Sequence, residues 1–297
     1  VKSLIISIFC LINFAHAWQD KAIYGNDDRL DFTEITNPIH QKWALATAAM
    51  ISKFTAREDY QNPDVFKIKS KMLSQNGVCE YQRFARQMTA SDCSGFLISP
   101  DTLVTAGHCV RHKQDCKDWY WIFDYRSGYA PEGYHRYREG RTIYIHKKSV
   151  YSCKKIIKTA VTNSTGLDFA VIKLDRAVTD REPLRIRRKG DVSINANLVI
   201  AGYPSGLPVK VADNAKVRSS EDNHPYFVAT TDSFTGNSGS AVINEDTGLV
   251  EGILVRGEQD YEYQKSKGKR CLMPVVCEED QCQGEEVTKI SEIIPYL

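Results

Sequence analysis

The chain has 297 residues, 42% of them hydrophobic and 26% charged, enough to bury the core of one large domain or two packed halves and too apolar for a disordered segment. Its 39 basic and 37 acidic residues leave a formal charge of +2, far from the basic excess that a phosphate backbone attracts, so nucleic acid is not an expected partner.

In chain order, residues 1–17 read as a secretory signal. Lys2 supplies a positive start, "LIISIFCLINF" an apolar stretch, and Ala15-His16-Ala17 the small-x-small cleavage pattern. The stretch falls short of the about 18–20 apolar residues of a membrane span, so no stable membrane insertion is expected. The protein is expected to be secreted or periplasmic. Residues 18–78 read as an N-terminal extension, either packed or removed as a propeptide. Within them "HQKWALATAAMISKF", residues 40–54, places Trp43, Leu45, Ala46, Ala49, Met50 and Phe54 on one face of an expected helix.

Eight cysteines follow the signal: Cys79, Cys93, Cys109, Cys116, Cys153, Cys271, Cys277 and Cys282. An even set in an exported chain reads as disulfides. The competing reading, zinc, lacks the tight C-x2-C spacing and clustered histidines of such sites, so neither metal nor cofactor is expected. In "CSGFLISPDTLVTAGHC", Cys93 to Cys109, two short apolar runs flank the turn signal Pro100-Asp101. That is a hairpin with a cysteine near each open end, and a Cys93–Cys109 bridge would anchor His108 beside a covalent staple, as a general base needs.

Further on, "GLDFAVIKLD", Gly166 to Asp175, reads as a buried strand with Asp168 at its start. A carboxylate there is a turn former or the partner that fixes an imidazole tautomer. "NLVIAGY", "PYFVAT", "SAVI" and "LVEGILVRG" read as a second set of strands. Between two of them lies "DSFTGNSGSA", Asp232 to Ala241, where two glycines bracket Ser238. The end, "EEVTKISEIIPYL", spaces Val287, Ile290, Ile293, Ile294 and Leu297 as a C-terminal helix after residue 285 that Pro295 cuts short. The basic run Arg185 to Lys189 reads as a solvated strand or loop.

"VTAGHC", "LDFAVIKL" and "GNSGS" resemble the His, Asp and Ser motifs of the chymotrypsin/trypsin-like serine peptidases, in the same chain order. "GNSGS" and the start "IYGNDDRLDF", Ile23 to Phe32, bring the chain closer to bacterial exported members related to the V8-type glutamyl endopeptidases. The resemblance covers residues 79–297. It implies an all-β fold of two antiparallel six-stranded barrels, about 79–180 and 181–270, with the active site in the cleft between them.

The chemistry of the motifs agrees with that implication. A serine hydroxyl attacks a peptide carbonyl only if a base takes its proton, a role open to His108 held by Asp168. The tetrahedral oxyanion needs donors already in place. The backbone N–H groups of Gly236 and Ser238 can supply them if Gly236 takes a conformation that side chains disfavour, with Gly239 letting the chain turn away from substrate. Many animal relatives carry an aspartate before the nucleophile that pairs with a freed N-terminal ammonium. Asn237 stands there in this chain, so that ion pair is not expected.

The same resemblance implies a specificity pocket. Asp232, six residues before Ser238, would lie at its base and select Arg or Lys, and Gly257 would keep its mouth open. In the V8-type alternative, Asp232 is structural and Ser233 with His224 assists recognition of Glu. The expected partners are protein or peptide substrates cleaved through an acyl-enzyme. A binding or adhesion protein on a catalytically dead protease scaffold is the second class, and an esterase is the third, although Ser240 occupies the last glycine position of its usual G-x-S-x-G.

Overall fold

The computed structural model describes residues 22–134, 142–266 and 268–297. The signal segment 1–17 read from the sequence lies outside them. Two closed antiparallel barrels of six strands each make up the molecule. The first consists of β1 (Thr47–Ser52), β2 (Cys93–Ser99), β3 (Thr102–Thr105), β4 (Trp119–Ile122), β5 (Val150–Thr162) and β6 (Leu167–Leu174). The second consists of β7 (Asn197–Gly202), β8 (Lys210–Ser220), β9 (Tyr226–Ala229), β10 (Ala241–Asn244), β11 (Val250–Arg256) and β12 (Glu285–Lys289). Both close in the same order: β1-β2-β3-β6-β5-β4 in one, β7-β8-β9-β12-β11-β10 in the other. Closure leaves neither barrel a free edge, which is how an all-β chain of this size avoids edge-to-edge pairing.

The core follows from the apolar runs. Phe96, Leu103, Val104, Trp121, Phe169 and Ile172 fill the first barrel as part of a cluster that reaches Ala241 and Ile253 of the second. Leu198, Ile200, Val217, Phe227, Leu254 and Val287 form a separate cluster in the second.

Two corrections concern the N-terminal part. The helix read over residues 40–54 is α1 (Pro38–Leu45), with Asn37 capping the N–H of Ile39 at 2.9 Å, and the chain then runs on as β1. Met50 pairs with Cys93 on one side and Trp121 on the other, so two barrel neighbours override the helical spacing of "TAAMIS". The boundary at 79 therefore moves. Residues before it supply a barrel strand, and Leu30–Asp31 adds a strand against Lys210–Val211 of β8, where Lys210 Nζ meets the buried Asp31 carboxylate at 2.7 Å. The two barrels occupy about 47–174 and 197–289. A third correction lies at the other end: residues 285–289 are strand β12, followed by a 3-10 helix, Ile290–Tyr296, that buries Ile290 and Ile293.

All eight cysteines are paired, as Cys79–Cys271, Cys93–Cys109, Cys116–Cys153 and Cys277–Cys282. Four bridges are those of a protein folded in an oxidising compartment. Among the described residues no helix is long and apolar enough to cross a membrane.

Candidate active site

His108 and Asp168 come from the first barrel and Ser238 from the second. The hairpin β2–β3 delivers His108 in a short 3-10 turn, Gly107–Cys109, and the bridge Cys93–Cys109 fixes that turn to the hairpin's other end. Gly107 is required because a Cβ there would fall 2.4 Å from the carbonyl oxygen of Ala160 and 2.7 Å from that of Phe169. Asp168 opens β6, 2% exposed, and holds His108 twice: Oδ2 lies 2.7 Å from Nδ1 of the ring and Oδ1 accepts the backbone N–H at 3.0 Å. A carboxylate so placed leaves the imidazole's Nε2 as the free base. Thr288 of β12 donates to the Asp168 carbonyl at 2.9 Å, tying the aspartate to the second barrel.

Ser238 lies in the turn between β9 and β10. Its carbonyl oxygen accepts from the N–H of Ser94 at 2.8 Å and lies 3.8 Å from Sγ of Cys109, the residue after His108. Ser94, which sequence reasoning passed over, stitches this turn to the first barrel: Oγ donates to the Gly236 carbonyl at 2.7 Å and accepts from Tyr203 N–H at 3.0 Å. Its position next to Cys93 was the available signal.

Gly236 has φ +95°, and a Cβ there would sit 2.5 Å from the Tyr203 carbonyl oxygen. No bond among the described residues takes its N–H. Gly239, at φ +89°, is glycine for a reason other than clearance for substrate. A Cβ there would be 2.1 Å from the Ser94 carbonyl and 2.2 Å from Thr105 Oγ1, so it lets the nucleophile turn lie flat on the strands that carry His108. Asn237 is buried and accepts from Ser240 Oγ at 3.3 Å.

The specificity residues are rearranged. Asp232 stands six before Ser238, yet both its oxygens are taken at 2.8 Å by the N–H groups of Tyr24 and Asp28. Its carboxylate thereby anchors the N-terminal segment. Burial pushes its carboxyl up to about 7 against the pull of those two N–H bonds. Ser233 and Gly257 do converge, on Glu285 of β12. Ser233 Oγ donates to Glu285 Oε2 at 2.7 Å, the Ala22 N–H donates to Oε1 at 3.2 Å, and a Cβ on Gly257 would collide with the carboxylate. Glu285 is fully buried. Sequence reasoning missed it because its segment, which opens "EEVTK", read as helix and only Val287 in it is apolar. His224 stacks on Tyr226, opposite Thr288, while Glu285 lies opposite Ala229 at the other end of that strand pair. The structure does not bring His224 to Ser233.

Arg256, at the end of β11, was also missed. Its Nη2 lies 3.9 Å from Asp168 Oδ2 and donates to the Gly166 carbonyl at 3.0 Å, while Nη1 meets Glu286 at 2.5 Å. Among the described residues Cys93, His108 and Cys109 bring three metal-capable atoms together, but the two sulfurs are bonded to each other.

A family model described as a trypsin-like peptidase domain matches residues 93–253, more than half of the chain. No curated protein matches it. Among solved structures, one of a Glu endopeptidase in complex with MPD superposes with a TM-score of 0.49 at 16% identity, covering 92% of this chain and 98% of its own.

Proposed function

The chain belongs to the trypsin-like peptidase family, and we propose that it is an exported serine endopeptidase that cleaves after Arg or Lys through a Ser238-His108-Asp168 triad. His108 Nε2 takes the Ser238 proton as Oγ attacks the scissile carbonyl, and Asp168 stabilises the imidazolium that forms. The N–H groups of Gly236 and Ser238 receive the oxyanion. Collapse of the tetrahedral species breaks the C–N bond, His108 protonates the departing amine, and water repeats the sequence on the acyl-enzyme. The observation that carries this reading is the double hold of Asp168 on His108 at 2.7 Å and 3.0 Å, which fixes both the ring and the backbone beneath it.

Basic preference is assigned to Glu285 instead of Asp232. A carboxylate beside Ser233 and Gly257 attracts a guanidinium or ammonium and repels an acidic side chain, and in a buried site that difference is large. The imidazole that the glutamyl reading called on, His224, precedes β9 and stacks on Tyr226, at the end of that strand opposite Ala229 and Glu285.

The test has two parts. Ser238→Ala and His108→Ala should each remove nearly all hydrolysis, and the double replacement should cost little more than either, because the residues act as a unit. Additive losses, or appreciable activity in either single variant, would sink the triad. Peptide-library profiling should show cuts after Arg and Lys, a preference that Glu285→Gln erases; dominant cuts after Glu would overturn the pocket assignment.

A further inference from the structure

Beside the Ser238 turn lies a cavity of about 350 Å³ whose lining does not include Ser233, Gly257 or Glu285. Gly236 and Thr235 form one wall, Ser91 and Asp92 the facing one, and Tyr261 and Leu272 part of the rest. Its outer wall is a built structure. The hairpin Tyr261–Ser266 and Lys269–Pro274 grows from the second barrel, and Cys79–Cys271 staples it to the segment that precedes β2. Cys79 N–H donates to the Leu272 carbonyl at 3.0 Å and Leu272 N–H to that of Gly77 at 2.9 Å. On the inner side, Asp260 accepts the Thr235 N–H at 2.8 Å, and Ser205 Oγ meets the Tyr261 hydroxyl at 2.6 Å.

The position of this cavity decides what occupies it. Asp92 directly precedes Cys93, which is bonded to Cys109, the neighbour of His108. A leaving amine collects its proton from His108, so the half of the substrate that departs lies along the wall that carries this bridge. The other half directs its side chain toward Ser233 and Glu285, which do not border the cavity. The charged residues of the lining are Asp92 and Asp260; none is basic. The Asp92 side chain is exposed and its carboxylate has no hydrogen bond or ion pair with any described residue, while the cavity wall on one side desolvates it enough to push it above its ordinary range.

We propose that this cavity is the subsite for the leaving-group half of the substrate, and that Asp92 selects a basic side chain there. The inference rests on the catalytic reading above.

Acyl transfer tests it. A peptide ester with a small alcohol leaving group loads the disulfide-intact enzyme as acyl-Ser238, and amides of Arg, Leu and Glu, together with Ala-Arg and Ala-Glu amides, compete with water for it. In each capture the amine nitrogen forms a C–N bond, the ester bond to Ser238 Oγ breaks, and the proton passes through His108 back to Oγ. The partition ratio compares nucleophiles on one intermediate, so it is independent of how fast that intermediate forms. Basic nucleophiles should capture the acyl group about fivefold better than acidic ones of equal length, as one partly exposed charge pair provides. Asp92→Asn should reduce the ratio to near one, and Asp92→Ser should do the same. Equal partitioning in the unaltered enzyme, or a preference that survives both replacements, overturns the subsite while leaving the triad standing. An ester that yields neither turnover nor acyl-enzyme overturns the catalytic reading and the subsite with it.

Discussion

At the residue scale, the proposed base is defined by what holds it. Asp168→Asn keeps the volume and an acceptor for one of the two bonds to His108 but offers the ring either an N–H or a neutral carbonyl. The wrong tautomer is then favoured and the imidazolium loses its counter-charge. The expected loss in kcat is about 10³–10⁴-fold with KM nearly unchanged, read from steady-state kinetics on one peptide substrate. Asp232 has a different signature. Its folded-state carboxyl titrates at about 7, well above the about 3.9 of an unfolded chain. Between those values the folded protein binds the extra proton, so stability falls as pH climbs from about 4 to about 7 and is flat beyond. Denaturation midpoints across that range should show the slope, and Asp232→Asn should remove it; an identical slope in both proteins would mean another group titrates there. The motifs around Ser238, His108 and Asp168, on which the proposed roles rest, stand out in the sequence because each is a short run of adjacent residues. The pocket does not. Which acid faces Ser233 depends on where residues 22–28 lie, more than 200 positions away in the chain, and no local pattern encodes that.

At the scale of elements, β1 shows how a barrel overrules a helical spacing. "TAAMIS" continues the apolar periodicity of α1, but its small residues fit between β2 and β4 where a helix would not. Only the two neighbours, far away in sequence, decide the matter. The consequence concerns the N-terminal segment. A chain that starts at Cys79 lacks β1, opens the first barrel at two ladders, and strips Lys210 of the Asp31 carboxylate that meets it in the interior. Removing one half of a buried ion pair costs about 3–5 kcal/mol, a large share of a domain's stability. Such a chain should be insoluble or lack a cooperative unfolding transition, whereas one that starts at Ala22 should fold and cleave. A soluble, active fragment from Cys79 would restore the removable-propeptide reading. The C-terminal strand β12 was missed for a related reason: four of its five residues are buried and four are polar, so "EEVTK" carries no alternation that could compete with the helical spacing that follows it.

At the scale of the molecule, two barrels with one strand order meet along a cleft, and everything assigned to catalysis lies where they touch. The overall architecture was legible through family resemblance carried by a few short motifs; periodicity alone separated the two strand sets without closing either. The first barrel brings His108 and Asp168, the proposed base and its carboxylate partner, on a disulfide-stapled hairpin and the start of β6. The second brings the nucleophile turn, pressed onto the first by Gly239 and held there by Ser94. Under the proposed triad, this division makes Ser238 reactivity depend on a residue from the other barrel. The most direct measurement is therefore treatment of the disulfide-intact protein with an alkyl fluorophosphonate, mapped by mass spectrometry alongside peptide hydrolysis. The account predicts one adduct, on Ser238, hydrolysis lost in proportion to it, and no adduct in His108→Ala. Hydrolysis that persists with Ser238 fully modified, or equal labelling of Ser238 without His108, would contradict it.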